Sequence, residues 1–539
     1  MPVPIPRNSF DDFPNIPIAG IVLLAAALRF VPIWFGIPFL PARPDEEVAV
    51  SIATRVTEGD LNPHFFHWPS LTFYVFAALY WMVSAVRTAF SIETPMSVID
   101  RVLIARACVA LAGTLTVFVL FRMGRRIADA GTGLLAALFL AVAMLHVRDS
   151  HFAMTDVLMT LLLTTSLALL LRAVDESSRA QAAVRWFTAA GLFAGLATST
   201  KYNAGALLAA MAAAQLWLLV RKRRPLDVRT WIPSVVFALA FAFGFVAGTP
   251  YSVLDFPKFE QDLRFDVAHL SGGHGISLGR GWFYHLERSL PYGTGVTVFI
   301  AAIAGLTPLA RYHGRHAVIL AGFALPFYFA IGSGTTVFFR YVLPLIPIVC
   351  LLAAIAVRHV STWVASRPRF ARLPVLATLV VLTAGPGLVN SVWFDALLAR
   401  TDTRVLAAEW IKNRLRPDDT LYDAGGEYTR LDLHHVRFHD WRFDPNENSF
   451  GHPEGHTPVW LILSESPIRV YASIPPPLRQ LAQNKYTLVH TVPATRGRPR
   501  AAVYDLQDAF FLPFSRFDTV IRPGPTIRIY RRADAPAFE

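Results

Sequence analysis

Residues 186–224 read WFTAAGLFAGLATSTKYNAGALLAAMAAAQLWLLVRKRR. Two apolar runs, 186–199 and 203–220, are interrupted by Thr200-Lys201-Tyr202-Asn203, and the second runs straight into Arg221-Lys222-Arg223-Arg224. Apolar runs approaching ~20 residues cross a bilayer as helices. Basic residues placed directly after such a run keep that end in the cytoplasm. The stretch therefore predicts two membrane helices, with the Lys201 turn on one face and the four cations on the other.

The same texture extends outward in both directions. Further apolar segments lie near 16–40, 69–90, 99–121, 132–147, 156–173, 231–249, 291–310, 316–332, 340–357 and 373–394. Of the 539 residues, 54% are hydrophobic and only 16% charged, against about 25% charged in soluble domains. The net charge of +12 comes from short basic runs between apolar segments, the pattern of membrane orientation rather than of nucleic-acid binding. Cys108 and Cys350 both sit inside apolar segments, which excludes a disulfide framework and a CxxC metal site. The opening MPVPIPRNSFDDFPN carries no small-residue cleavage signature, so 16–40 is read as a retained first span.

Basic groups occur at Arg122/Arg125/Arg126, Arg172/Arg179/Arg185, Arg221–Arg224, Arg311/Arg315 and Arg358/Arg367/Arg369/Arg372. All five share the cytoplasmic side if one segment does not cross. The choice falls on 69–90, which opens with His67-Trp68-Pro69-Ser70 and ends at Arg87. About eleven crossings remain, and the polar loops 41–68, 148–155, the Lys201 turn, 250–290 and 333–340 gather on the outer face. The fold class expected is an all-α polytopic membrane domain at 1–394, followed by an outer α/β domain at 395–539. In that tail, 403–415 has helical periodicity, and 458–463, 486–492, 501–506 and 526–530 read as strands.

Several polar clusters on the outer face carry candidate chemistry. Pro44-Asp45-Glu46-Glu47 follows the first span; three carboxylates at a membrane boundary are solvated or functional. Arg148, Asp149, His151 and Asp156 crowd one short loop. Asp156 by itself is also explained as a helix N-terminal acid with Thr155 as cap. Lys201 suits a phosphate anion, and equally suits snorkelling to the interface. Arg340 and Tyr341 open a span; the guanidinium matches phosphate bidentately, while interface anchoring is the simpler account. Residues 250–290 mix acids, aromatics, His269 and Gly272-Gly273-His274-Gly275, which suits a mobile saccharide- or acceptor-binding lid. His434, His435, His439, His452 and His456 match no zinc spacing.

Taken in order, these residues resemble the dolichyl-phosphate-mannose protein mannosyltransferase type of membrane glycosyltransferase. This is bacterial glycosyltransferase family 39, which is similar to the aminoarabinose lipid A transferases. The resemblance rests on Pro44-Asp45-Glu46, His67-Trp68-Pro69 where the family often has His-Pro-Pro, Arg106 followed by Gly124-Arg125-Arg126, Ser150 to Asp156, Lys201-Tyr202, and Arg340-Tyr341 with Leu343-Pro344. It covers roughly 15–395. It implies a GT-C fold in the bacterial cytoplasmic membrane with the tail outside. It also implies a polyprenyl-phosphate-linked sugar donor and an acceptor that is a lipid, glycan or protein. Asp45, with Glu46, would take the catalytic acidic position. Lys201, Arg340 and Tyr341 would bind donor phosphate, and His67, Arg148, Asp149, His151, Asp156 and His269 would orient or contact the acceptor. A Mg2+ or Mn2+ ion on loose carboxylates, Asp45 and Asp156 among them, is compatible with this reading. Membrane lipids are the surrounding partner, and nucleic acid is not one.

Two other classes share parts of the pattern. A transporter or lipid flippase has the same span count, but gathers its polar residues at the midplane on repeat-related helices. An anchoring protein for the tail leaves Asp45, Asp149, Lys201 and Arg340 without a common purpose.

Overall fold

The computed structural model describes residues 15–222, 227–367, 371–433, 442–447, 449–451, 457–497 and 502–535. The five tail histidines named above, together with Arg223, Arg224 and Arg369, lie outside the described residues. The chain divides into two compact units, one formed by Met1–Ile33 and Val48–Val392, the other by Trp34–Glu47 and Trp393–Glu539.

The larger unit is helical. Among the described residues seven helices are long and apolar enough to cross a bilayer, from Leu71–Ala89 to the one beginning at Arg372. The pair Gly281–Thr294 and Val296–Tyr312 passes the same test only when taken together, and it is bent by 111°. Gly295 sits at that bend with φ +95, a conformation that glycine alone adopts at no steric cost. Three shorter apolar helices are Pro17–Phe30, Ala130–Ala141 and Ile232–Gly248. The chain is a multi-pass membrane protein.

Four sequence expectations change. The first helix ends at Phe30 rather than near 40, because Pro32, Gly36 and Pro38 cannot continue it. Leu71–Ala89 is an uninterrupted 19-residue helix, so neither length nor composition singles it out as the segment that does not cross. Most of 250–290 is helix and not loop. Phe256–Gly272 begins with Pro257 in its first turn and stops at Gly273 with φ +81. On its exposed face Glu260 pairs with Arg264 at i,i+4, and Lys258 reaches the buried Asp262 at the same spacing. Thr155 is the first helical residue of Thr155–Asp175, and the cap position belongs to Met154.

One end of the bundle collects the basic groups. Asp175, in the last turn of Thr155–Asp175, accepts from Arg126 at 3.2 Å and lies 3.1 Å from Arg315 and 2.9 Å from His316. Arg358 pairs with Asp129 at 2.5 Å. Each acid here serves cations drawn from a different helix, which ties the basic end together. Asp156 and Thr155 occupy the opposite end of the Asp175 helix.

The smaller unit is α/β. Among the described residues its strands are β1 (Leu421–Asp423), β2 (Phe443–Asp444), β3 (Ser449–Phe450), β4 (Trp460–Glu465), β5 (Tyr486–Val492) and β6 (Thr526–Arg532). Four of them form one sheet in the order β1-β4-β6-β5, parallel between β1 and β4 and antiparallel elsewhere; β2 and β3 form a separate hairpin. The alternation along β6 puts Ile527 and Ile529 inward against Trp460, Ile462 and the helix Thr403–Lys412. Of the four sequence-predicted strands, 501–506 forms none over its described residues 502–506, where Val503 makes an isolated bridge to Ser515.

The segment Trp34–Glu47 belongs to this unit for visible reasons. Arg43 donates to Asp508 at 2.5 Å with both side chains buried. The buried Arg404 guanidinium lies over the Phe39 ring at 4.6 Å and grips Asp402 through two hydrogen bonds. Phe35 meets Phe510 edge-on at 6.0 Å.

Candidate functional site

Within the membrane unit, one end of the bundle assembles charged residues from segments far apart in sequence. The helix Ala180–Thr198 stops at Ser199, and the chain turns through Lys201 into a 3-10 turn, Tyr202–Ala206. Lys201 donates to Asp156 Oδ1 at 2.6 Å, and its ammonium stands 5.4 Å from the centre of the Tyr341 ring. Tyr341 and Arg340 lie in the 3-10 turn Phe339–Leu345, which Pro344 keeps from being an ordinary helix start. Arg340 stacks on the Phe338 ring at 4.4 Å. One of the three ammonium donors of Lys201 is used by Asp156, which leaves two for an anion.

The neighbouring residue extends this cluster. Tyr202 Oη donates to the Phe66 carbonyl at 2.7 Å. His67 Nδ1 lies 3.0 Å from Asp266 Oδ1. The Phe66 N–H donates to Asp262, which also accepts from Lys258, and Asn62 donates to Asp255. The 62–68 segment is thus pinned by a row of acids along Phe256–Gly272 and at its start, spaced by about one or two turns. His269 belongs to this helix, and its side chain lies outside the described residues.

Arg148, Asp149 and His151 have a different character. All three are buried, on or just after the short helix Met144–Asp149. Arg148 donates to Asp149 at 2.9 Å and lies over Phe152 at 5.2 Å. The His151 ring sits between the Val147 and Val31 carbonyls at 3.0 and 3.2 Å. Burial pushes its pKa down to about 4, so at pH 7 the ring is neutral and its single N–H donates to one of the two carbonyls.

In the smaller unit, Asp45 has φ +71 immediately before the helix Glu46–Thr57. This left-handed geometry is uncommon away from glycine, though Asp tolerates it better than most. Glu46 is buried. Burial pushes the Glu47 carboxyl up, aided by the negative charges of Asp45 and Glu46. The Tyr428 hydroxyl is pushed up too, first by burial and then by the charges of Asp45 and its acidic neighbours.

Among the described residues no group of three or more His, Cys, Asp and Glu side chains is placed to hold a metal ion. Asp156 spends an oxygen on Lys201 rather than on a shared carboxylate set.

No sequence motif singles out Arg29. It is fully buried and donates to the Ala25, Ala141 and Leu140 carbonyls, each at 3.0 Å, with His146 beside it. It closes the C-terminal end of Ala130–Ala141, where unsatisfied carbonyls favour a cation.

Residues 88–247 match the family model described as dolichyl-phosphate-mannose-protein mannosyltransferase. Among solved structures, the chain is similar to ArnT from Cupriavidus metallidurans bound to undecaprenyl phosphate, with TM-score 0.51, 17% identity, and coverage of 96% of this chain and 99% of that one. The apo form of the same protein gives 0.50, 16%, 96% and 99%. The Archaeoglobus fulgidus oligosaccharyltransferase tethered with an acceptor peptide containing the NVT sequon gives 0.50 and 13% over 75% of this chain. This chain spans 58% of the length of that oligosaccharyltransferase. No curated protein matches by sequence. The fold is that of the GT-C membrane glycosyltransferases, as the resemblance read from the sequence implies.

Proposed function

We propose that this GT-C chain is a membrane glycosyltransferase that moves a sugar from a polyprenyl-phosphate donor to an acceptor at the outer face of the bacterial cytoplasmic membrane. The observation that carries the reading is the Lys201 ammonium, held between the Asp156 carboxylate and the Tyr341 ring at the bundle end opposite the basic groups. Three separate elements converge to fix one cation, and in this reading that cation meets the lipid phosphate. Arg340, one residue from Tyr341, adds the planar donor fork that matches phosphate oxygens.

The reaction is an inverting displacement. An acceptor hydroxyl or amine attacks the anomeric carbon, the bond from that carbon to the phosphate oxygen breaks, and the polyprenyl phosphate leaves with the electron pair. Asp45 takes the acceptor proton; a positioned base of this kind contributes ~10²–10⁴-fold. Lys201 and Arg340 offset the charge that grows on the departing phosphate. Asp156 and Tyr341 position Lys201, and the acids on Phe256–Gly272 position His67.

The reading is tested with the full chain in proteoliposomes containing a radiolabelled polyprenyl-phosphate sugar and candidate lipid, glycan and peptide acceptors. The expected result is free polyprenyl phosphate and a product of inverted anomeric configuration, with turnover reduced ~10²–10⁴-fold by Asp45→Asn. Solute uptake without any transfer product, or a folded Asp45→Asn protein that keeps full turnover, overturns it.

A further inference from the structure

We propose that the C-terminal unit carries its own binding cleft for an anionic saccharide. The inference goes beyond the transfer reaction, because the cleft is built wholly from residues from Leu463 onward and stands whichever sugar the membrane unit moves.

The sheet explains why a cleft exists. Its inner face is closed by the Trp460, Ile462, Ile527 and Ile529 core under Thr403–Lys412. Among the described residues its other face is covered only in part. The helix Pro476–Lys485 packs Leu478, Leu481 and Ala482 onto Leu461 and Leu463 of β4. Beside that helix an open cleft of about 950 Å³ remains, a volume at the upper end of small-ligand sites.

An uncovered sheet face needs only to be polar to be soluble, but this one carries a net positive charge. The charged residues lining the cleft are Arg469, Arg479, Arg528 and Glu465, three cations and one anion, a formal balance of +2. Glu465 stands 3.1 Å from Arg479 and 3.3 Å from Arg528. One carboxylate thus orients two guanidinium forks that carry five N–H donors each, so most of the donors stay available. Arg528 Nε is buried without a hydrogen-bond partner, and buried donors are normally satisfied. Across the strands, Thr491 and Leu463 flank Arg528 in register, and Thr526 faces Glu465.

The remainder of the lining selects the ligand class. Tyr504 and Tyr530 offer ring faces, while Thr491, Thr526 and Gln483 offer neutral hydrogen-bonding groups. Aromatic faces with hydroxyl and amide groups suit sugar rings, and the arginine pair suits an acid borne by the sugar, either a carboxylate or a phosphate.

The test uses the full chain in detergent micelles and isothermal titration calorimetry with four probes: trigalacturonate, mannose 6-phosphate, neutral maltotriose and inorganic phosphate. At least one acidic sugar is expected to bind about tenfold or more tightly than maltotriose and than inorganic phosphate, and the tighter of the two identifies the acid. Arg479→Gln, on an exposed helix face, and Arg528→Gln are each expected to weaken that binding about tenfold at unchanged melting temperature. Arg479→Gln alone decides the matter if the Arg528 variant does not fold. Equal binding of maltotriose, equal binding of inorganic phosphate, no binding of either acidic sugar at millimolar concentration, or unchanged affinity in Arg479→Gln overturns the proposal.

Discussion

Lys201 donates to Asp156 across 2.6 Å, with the carboxylate 4% exposed and the lysine 18%. Removing one partner of such a buried pair strands the other charge, at a cost of about 3 kcal/mol. Lys201→Met is therefore expected to lower the melting temperature sharply. The double variant Lys201→Met/Asp156→Asn should recover much of that loss while polyprenyl-phosphate binding stays weak. Strictly additive melting shifts in the double-variant cycle would show that the two side chains are not energetically coupled.

Asp45 gives a second prediction through its backbone. At φ +71 an ordinary side chain costs about 1–2 kcal/mol, and a β-branched one is the least tolerated. Asp45→Gly should melt within about 1 kcal/mol of the parent, whereas Asp45→Val should be destabilised by about 2 kcal/mol. Both should lose transfer. An Asp45→Gly protein with full turnover would remove the carboxylate from the chemistry.

Membrane character, the polar Lys201 turn and the family resemblance are legible because a charge between two long apolar runs is conspicuous. The partners of other charges are not. Arg29 stands out in no motif, and the carbonyl of Ala141 that it serves lies 112 residues away. Arg43 belongs to no motif either, and its partner Asp508 is 465 residues distant. That contact, with Arg404 over Phe39, is why 34–47 groups with the tail, which no local pattern announces. Phe256–Gly272 reads as loop because its glycines, aromatics and acids outweigh its i,i+4 ion pairs. His151 and Arg148 read as solvent-facing site residues because loop charges usually meet water; here they are enclosed.

Asp423 sets a pH dependence outside the membrane. Its two oxygens accept from the Gly425 and Leu431 N–H groups, both at 2.8 Å, but burial dominates and pushes its pKa up to about 6. In the unfolded chain the value is about 3.9. Between those pH values the folded state holds the extra proton, so stability falls as pH rises through the window. The stabilisation is fully present below about pH 4 and lost above about pH 6, on the order of 3 kcal/mol in all. Hydrogen exchange of β1 and β4 amides should therefore speed up from about pH 4 to about pH 6 beyond the intrinsic rate change. Asp423→Asn should remove that excess, and an unchanged profile in the variant would place the titration elsewhere.

One close helix contact in the membrane unit rests on glycines. Ala180–Thr198 carries Gly191 and Gly195, and Ile232–Gly248 carries Gly244 and Gly248, each pair at the four-residue spacing that lets membrane helices approach. A Cβ on Gly244 would lie 2.6 Å from the Leu192 carbonyl oxygen, and one on Gly191 or Gly195 would collide with the carbonyl of Phe237 or Phe241. Lipid supplies no hydrophobic drive to hold the helices together once they are forced apart, so lost packing is not recovered. Gly195→Ala is expected to cost about 1–3 kcal/mol, and Gly195→Leu should abolish the folded fraction in detergent. Gly20→Ala is the control, because a Cβ there meets nothing within 4 Å and alanine is the better helix former. Size-exclusion profiles and melting curves that rank all three variants equally would show that the Ala180–Thr198 and Ile232–Gly248 pair tolerates separation.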